Sequence, residues 1–286
     1  MEKLAEIWPQ LYLNPDQADQ EQFRKTVLSG EEPDIKDLSH FQCNSLDSEE
    51  MTETPVGFIR VVALHNRKDY ETLIRCMMAA KEGTDMEIPK TQGASMLNVF
   101  NWQKIHHHMD QYVQEELEKG NTDADTAEEF RRFTSIKENY IEQLAVLSWG
   151  PYSNIPAEKM GCTEEEWLVL SNTIRRYHEL THVICRRLYP DKTEPIRDEL
   201  IADAIGLYAA YGSFDIEKEK IFLGIENHSY TGGRLENYTD HPEQLIEPVC
   251  NLLEQISRII MEHQGTEPFR MIGYLEEQLD DLPVLS

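Results

Sequence analysis

His178-Glu179-Leu180-Thr181-His182 sets two imidazoles four residues apart, with a carboxylate beside the first. On an α-helix, residues four apart share a face with Cβ atoms about 5–6 Å apart, so both rings can converge on one tetrahedral metal ion. Glu179 is turned about 100° around the axis from His178, away from the ligand direction but within reach of a water in the fourth coordination position. A second set of groups follows in Asp198-Glu199-Leu200-Ile201-Ala202-Asp203. Glu199 and Asp203 fall inside the apolar stripe Ile196, Leu200, Leu207, where carboxylates are costly unless something positive meets them.

Two elements must position these groups, and both have marked ends. Thr163 and Glu166 read as a capping box, Glu164 to Glu166 put acids in the first turn, Arg186 and Arg187 put cations in the last, and Pro190 stops the helix. The pattern predicts a helix over 164–189. The histidines lie within its apolar stripe Trp167, Leu170, Ile174, Cys185, so they face inward and need partners. Pro195 opens a second helix that runs to Gly212. The first helix climbs roughly 10 Å from His182 to Tyr189, and the second descends about 6 Å from Pro195 to Glu199 after a turn through Asp191–Glu194. An antiparallel pair therefore brings Glu199 to the level of His182, and Asp203 near His178, whose outer ring nitrogen it can bind.

His-Glu-Leu-Thr-His followed by Asp-Glu-Leu-Ile-Ala-Asp resembles the gluzincin zinc metallopeptidases, of which thermolysin is the familiar member. The resemblance covers about 30 residues, Tyr177 to Gly206, with a connection between the helices slightly shorter than in thermolysin. It implies one zinc ion per chain, with Glu199 as third ligand, Glu179 as catalytic base and Asp203 as support for a ligating histidine. It also implies a zincin-like core of two antiparallel helices beneath a sheet whose edge strand binds an extended peptide, with 143–149 as the candidate edge and a plain core strand as the alternative reading of that segment. In such a site Glu179 takes a proton from a water polarised by the metal and returns it to the leaving amine. Candidates for a second donor to the developing oxyanion are His228, Tyr230 and Arg234, in a polar segment with a flexible glycine pair, Gly232-Gly233.

The composition narrows the partners. With 53 acidic against 27 basic residues the net charge is −26, a field that repels phosphate backbones, so no nucleic-acid partner is expected. Arg175-Arg176 and Arg186-Arg187 read as solvated helix faces. No apolar run is long enough for a membrane span, no signal-peptide pattern opens the chain, and five scattered cysteines suit a reducing compartment, so the expected address is the cytoplasm. The His106-His107-His108 run reads as a solvated face, because consecutive helical residues splay by about 100°. Cys185, one turn beyond His182, reads as a packed thiol.

The expected fold class is α+β, mainly helical with a small sheet. Helices are expected over 3–13, 16–28, 68–81, 97–119, 126–140, 243–263 and 268–279, and strands over 57–64 and 143–149. Residues 29–55 read as a long surface connection and 227–241 as a loop. A boundary is expected near residue 140, with a mostly helical N-terminal region (1–140, one strand) and a zincin-like catalytic region (141–286), a single domain being the alternative. The function expected is hydrolysis of peptide bonds in a peptide or protein substrate. The alternatives are a zinc hydrolase of a non-peptide amide or ester, and a non-catalytic metal-stabilised binding protein. The sequence is silent on oligomeric state.

Overall fold

The computed structural model describes residues 1–192 and 194–279. Thr193, part of the expected turn between the two site helices, and residues 280–286 lie outside the described set. In chain order the elements are helices α1 (Glu2–Ile7) and α2 (Gln20–Ser29), strands β1 (Ser48–Thr54) and β2 (Gly57–Leu64), helix α3 (Arg67–Glu82), strand β3 (Ala94–Phe100), helices α4 (Trp102–Glu118) and α5 (Thr126–Thr134), and strand β4 (Ile141–Ser148). They are followed by helices α6 (Ala157–Met160), α7 (Glu164–Leu188), α8 (Pro195–Tyr211) and α9 (Ile216–Leu223), the short pair β5 (Ile225–Glu226) and β6 (Ser229–Tyr230), and helices α10 (Pro242–Glu262) and α11 (Pro268–Gln278). The fold is thus mixed α and β, mostly helical with a small sheet. No helix among the described residues is long and apolar enough to cross a membrane.

The larger sheet has the order β1-β2-β4-β3. The strand expected at 143–149 is therefore central and not an edge. Residues 144–148 are all buried, as befits a strand covered on both faces. The edges are β1 and β3, and both correct the sequence reading. β1 lies in the expected connection 29–55, and its acidic residues Glu49, Glu50 and Glu53 leave it almost wholly exposed, with no apolar face to betray it. β3 replaces the first turn of the helix expected at 97–119. Its burial alternates, and Asn101 caps the helix that follows by accepting the Lys104 N–H.

The chain forms two compact units that are not consecutive stretches: residues Met1–Glu50, Leu64–Pro89 and Met96–Val146 in one, and Met51–Ala63, Lys90–Ser95 and the described residues from Leu147 onward in the other. Trp8, Leu11, Phe23, Tyr70, Leu73 and Leu144 are fully buried in the first. There His108 bonds Glu129 at 2.6 Å and stacks on Phe133, so one member of the histidine run serves the packing of α4 on α5. The second unit holds α7 and α8. Its interior includes Trp167, Ile174, Leu207 and Phe222.

The capping box at Thr163 and Glu166 starts α7, and Glu194 caps α8 through the Ile196 and Arg197 amides. Residues 200–208 of α8 are buried without interruption, so this helix is enclosed by neighbours and not amphipathic. The Arg197–Glu276 ion pair, 2.6 Å long and 1% exposed at both partners, ties it to α11. Arg175, expected on a solvated face, is buried and donates to the Ser148, Gly150 and Pro151 carbonyls.

At the α7–α8 crossing the backbones nearly touch. A Cβ at Gly206 would lie 2.8 Å from the Ile174 carbonyl oxygen. Gly206→Val should therefore destabilise the protein by about 1–3 kcal/mol, since backbone cannot yield as a side chain can. Denaturant unfolding checks this, and unchanged stability would show that the crossing tolerates a wider spacing.

Candidate metal centre

The α7–α8 pair brings together four of the residues singled out by sequence. His178 Nε2 and His182 Nε2 are 3.1 Å apart, Glu199 Oε1 is 3.3 Å from His182 Nε2, and Glu199 Oε2 is 3.5 Å from His178 Nε2. Donors about 2.0–2.1 Å from a tetrahedral ion stand about 3.3–3.4 Å from one another, so the spacing of the two rings is close to that of such an ion, with Glu199 at a similar distance from each ring through a different oxygen. Among the described residues these three form the one group of His, Cys, Asp or Glu side chains close enough to hold a metal. Glu179, beside His178 on α7, is half-buried.

Behind the donors, Asp203 Oδ1 accepts from His178 Nδ1 at 2.7 Å. With that proton on Nδ1, the His178 Nε2 lone pair faces His182 and Glu199, as ligation requires. Burial holds the His178 imidazole below its usual pKa, so it stays neutral further into acid. Burial opposes ionisation of Glu199. The His182 hydrogen bond and the histidines' charge outweigh it and bring its carboxyl down to about 2.

Three residues not anticipated complete the surroundings. The Tyr152 hydroxyl donates to Asp203 Oδ1 at 2.5 Å and sits 2.9 Å from His178 Nδ1. It follows β4 in a turn where Ser153 and Asn154 both have positive φ, 51° and 58°. The Tyr238 hydroxyl donates to Glu199 Oε2 at 3.0 Å. Glu219 on α9 is fully buried, and neither of its carboxyl oxygens has a hydrogen-bond partner. Its nearest cation is Arg234, at 3.9 Å. Burial, reinforced by the charge of Glu199, pushes the Glu219 carboxyl well above the usual range.

The candidate oxyanion donors part company. His228 is exposed in the turn of the β5–β6 hairpin, where Asn227 and His228 take φ of 48° and 58°, the two-residue left-handed turn that suits such hairpins. The Tyr230 hydroxyl is 2.8 Å from Glu236 and accepts the Gly233 N–H. Arg234 turns inward: its guanidinium pairs with Asp203 Oδ2 and donates to the Tyr152 hydroxyl at 3.2 Å. The glycine pair before it is tightly packed, because a Cβ on Gly233 would lie 2.4 Å from the Gly224 nitrogen. Only Glu219 left a trace in the sequence, a carboxylate on the face of Phe222 and Leu223. Tyr152 and Tyr238 reach the site through folding alone.

Residues 3–265 match the family described as Family of unknown function (DUF7005), and the chain belongs to that family. No curated protein and no solved structure matches it.

The shift at Glu219 has a testable sign. The folded state keeps a proton that the unfolded chain releases above about pH 4.5, so Glu219 lowers stability progressively as pH rises through and beyond that value. Glu219→Gln should therefore stabilise the protein at pH 7, with the gain vanishing below about pH 4.5. Loss of stability at pH 7 would instead show an ionised Glu219 held by Arg234.

Proposed function

We propose that this protein is a zinc-dependent metallopeptidase of gluzincin type, with a zincin-like core made by α7 and α8. His178, His182 and Glu199 would hold one zinc ion per chain, and Asp203 would hold His178 in the ligating tautomer. The observation that carries the reading is the set of donor spacings, 3.1, 3.3 and 3.5 Å, with Asp203 bonded to His178 behind them.

Zinc bound there would supply Lewis acidity, lowering the pKa of a water toward about 7 and polarising a carbonyl. The remaining work belongs to the chain. Glu179 accepts a proton from the attacking water and passes it to the departing nitrogen, so one side chain serves as base and then as acid. His178 and Glu199 enter the reaction already in their ligating forms, the first neutral and the second ionised, so no proton need leave either one. A net charge of −26 favours a peptide or protein substrate over a polyanion. The five cysteines are free thiols, which agrees with a cytoplasmic address.

Metal analysis of the whole chain tests the reading. About one zinc per wild-type chain is expected, lost in both His182→Ala and Glu199→Ala. A wild-type chain that takes up no zinc would refute it. Glu179→Gln should retain the zinc yet lose about 10²–10⁴-fold in the rate of peptide hydrolysis. Hydrolysis undiminished in that variant would remove Glu179 from the mechanism.

A further inference from the structure

We infer that residues 234–238 form a two-point clamp on α8, with Arg234 and Tyr238 as positioning residues that set the zinc affinity of the site. The inference rests on the zinc reading above. Arg234 and Tyr238 are four residues apart, as are Asp203 and Glu199, and the two pairs meet in register: Arg234 on Asp203, Tyr238 on Glu199.

Each carboxylate has contacts from both the helix pair and the clamp. Asp203 gives Oδ1 to His178 and Tyr152, and Oδ2 to Arg234. Glu199 places Oε1 toward His182 and Oε2 toward His178, and Oε2 also takes the Tyr238 hydroxyl. A carboxylate bound at both oxygens cannot rotate freely, so the segment fixes the planes of a ligand and of the group that orients another ligand. Metal sites depend on such outer contacts, whose loss weakens binding without removing a ligand.

The clamp is itself anchored. The Arg234 guanidinium lies over the faces of Tyr152 and Phe222, at 5.2 and 5.9 Å from the ring centroids, besides its contacts with Asp203 and Glu219. Just before it, Gly232 and Gly233 pack against Gly224 backbone to backbone. With Nη1 donating to Tyr152 and Nη2 paired with Asp203, Arg234 is a positioning residue and not the oxyanion donor suggested by its place in the chain. Any larger residue at Gly233 would shift the clamp's first point.

The test is zinc affinity of the full-length protein, measured by competition with a chelator, alongside the melting temperature of the zinc-free form. Arg234→Gln should weaken zinc binding by about 10–100-fold, the range usual for lost outer contacts. Arg234→Lys should recover part of that loss, and Tyr238→Phe should weaken binding several-fold. Asp203→Asn combined with Arg234→Gln should weaken binding no more than the worse single variant, because both act through one contact. A purely structural role would instead give losses that add, with no recovery by lysine. Additive losses, or wild-type affinity in folded Arg234→Gln, would overturn the clamp while leaving the zinc site standing. Should Arg234→Gln fail to fold, unchanged affinity in both Arg234→Lys and Tyr238→Phe would overturn it equally. A wild-type protein that binds no zinc would overturn the zinc reading, and the clamp with it.

Discussion

Glu199 and Asp203 sit on a helix whose residues 200–208 are buried without a break. Charge in such a place is tolerated only with partners at hydrogen-bond distance. Most of what surrounds α8 answers that requirement. The α7 histidines lie against both carboxylates, Tyr152 and Arg234 close around Asp203, and Tyr238 donates to Glu199. The near-contact of Gly206 with Ile174 makes this possible, because only a close helix crossing lets short side chains meet across it.

The balance of charge inside the site differs from that of the whole chain. The protein carries a net charge of −26, yet this region relies on arginines drawn inward, buried Arg175 for carbonyls at the end of β4 and half-buried Arg234 for Asp203. Burial and the charge of Glu199 favour the protonated form of Glu219, which leaves Asp203 as the carboxylate paired with Arg234. Burial is the leading cause at both Glu219 and His178, raising the pKa of the acid and lowering that of the base, so it favours the neutral form of each.

What could be read from the chain depended on how local the determinant was. The capping residues and Pro195 marked α7 and α8 to within a residue or so, and helical spacing then put His178, His182, Glu199 and Asp203 together. Strand β2 was legible for the same reason, from its apolar residues Val61 to Leu64 after Phe58 and Ile59. The remainder depended on pairing at a distance. β1 has no apolar alternation because it is an exposed edge, and β4 could not be recognised as central without its neighbours. Tyr152 lies 51 residues from Asp203 and Tyr238 lies 39 from Glu199. No motif spans such gaps. Arg234 was noticed for its charge, but only the packing of Gly224 against Gly232 and Gly233 shows why it turns inward.

X-ray absorption at the zinc edge, on protein loaded with one equivalent of zinc, addresses the central claim most directly. The account predicts a four-coordinate shell of nitrogen and oxygen at about 2.0–2.1 Å, with the outer-shell scattering of two imidazoles. A sulfur shell at about 2.3 Å, which would bring in Cys185, or a shell lacking two imidazoles, would contradict it.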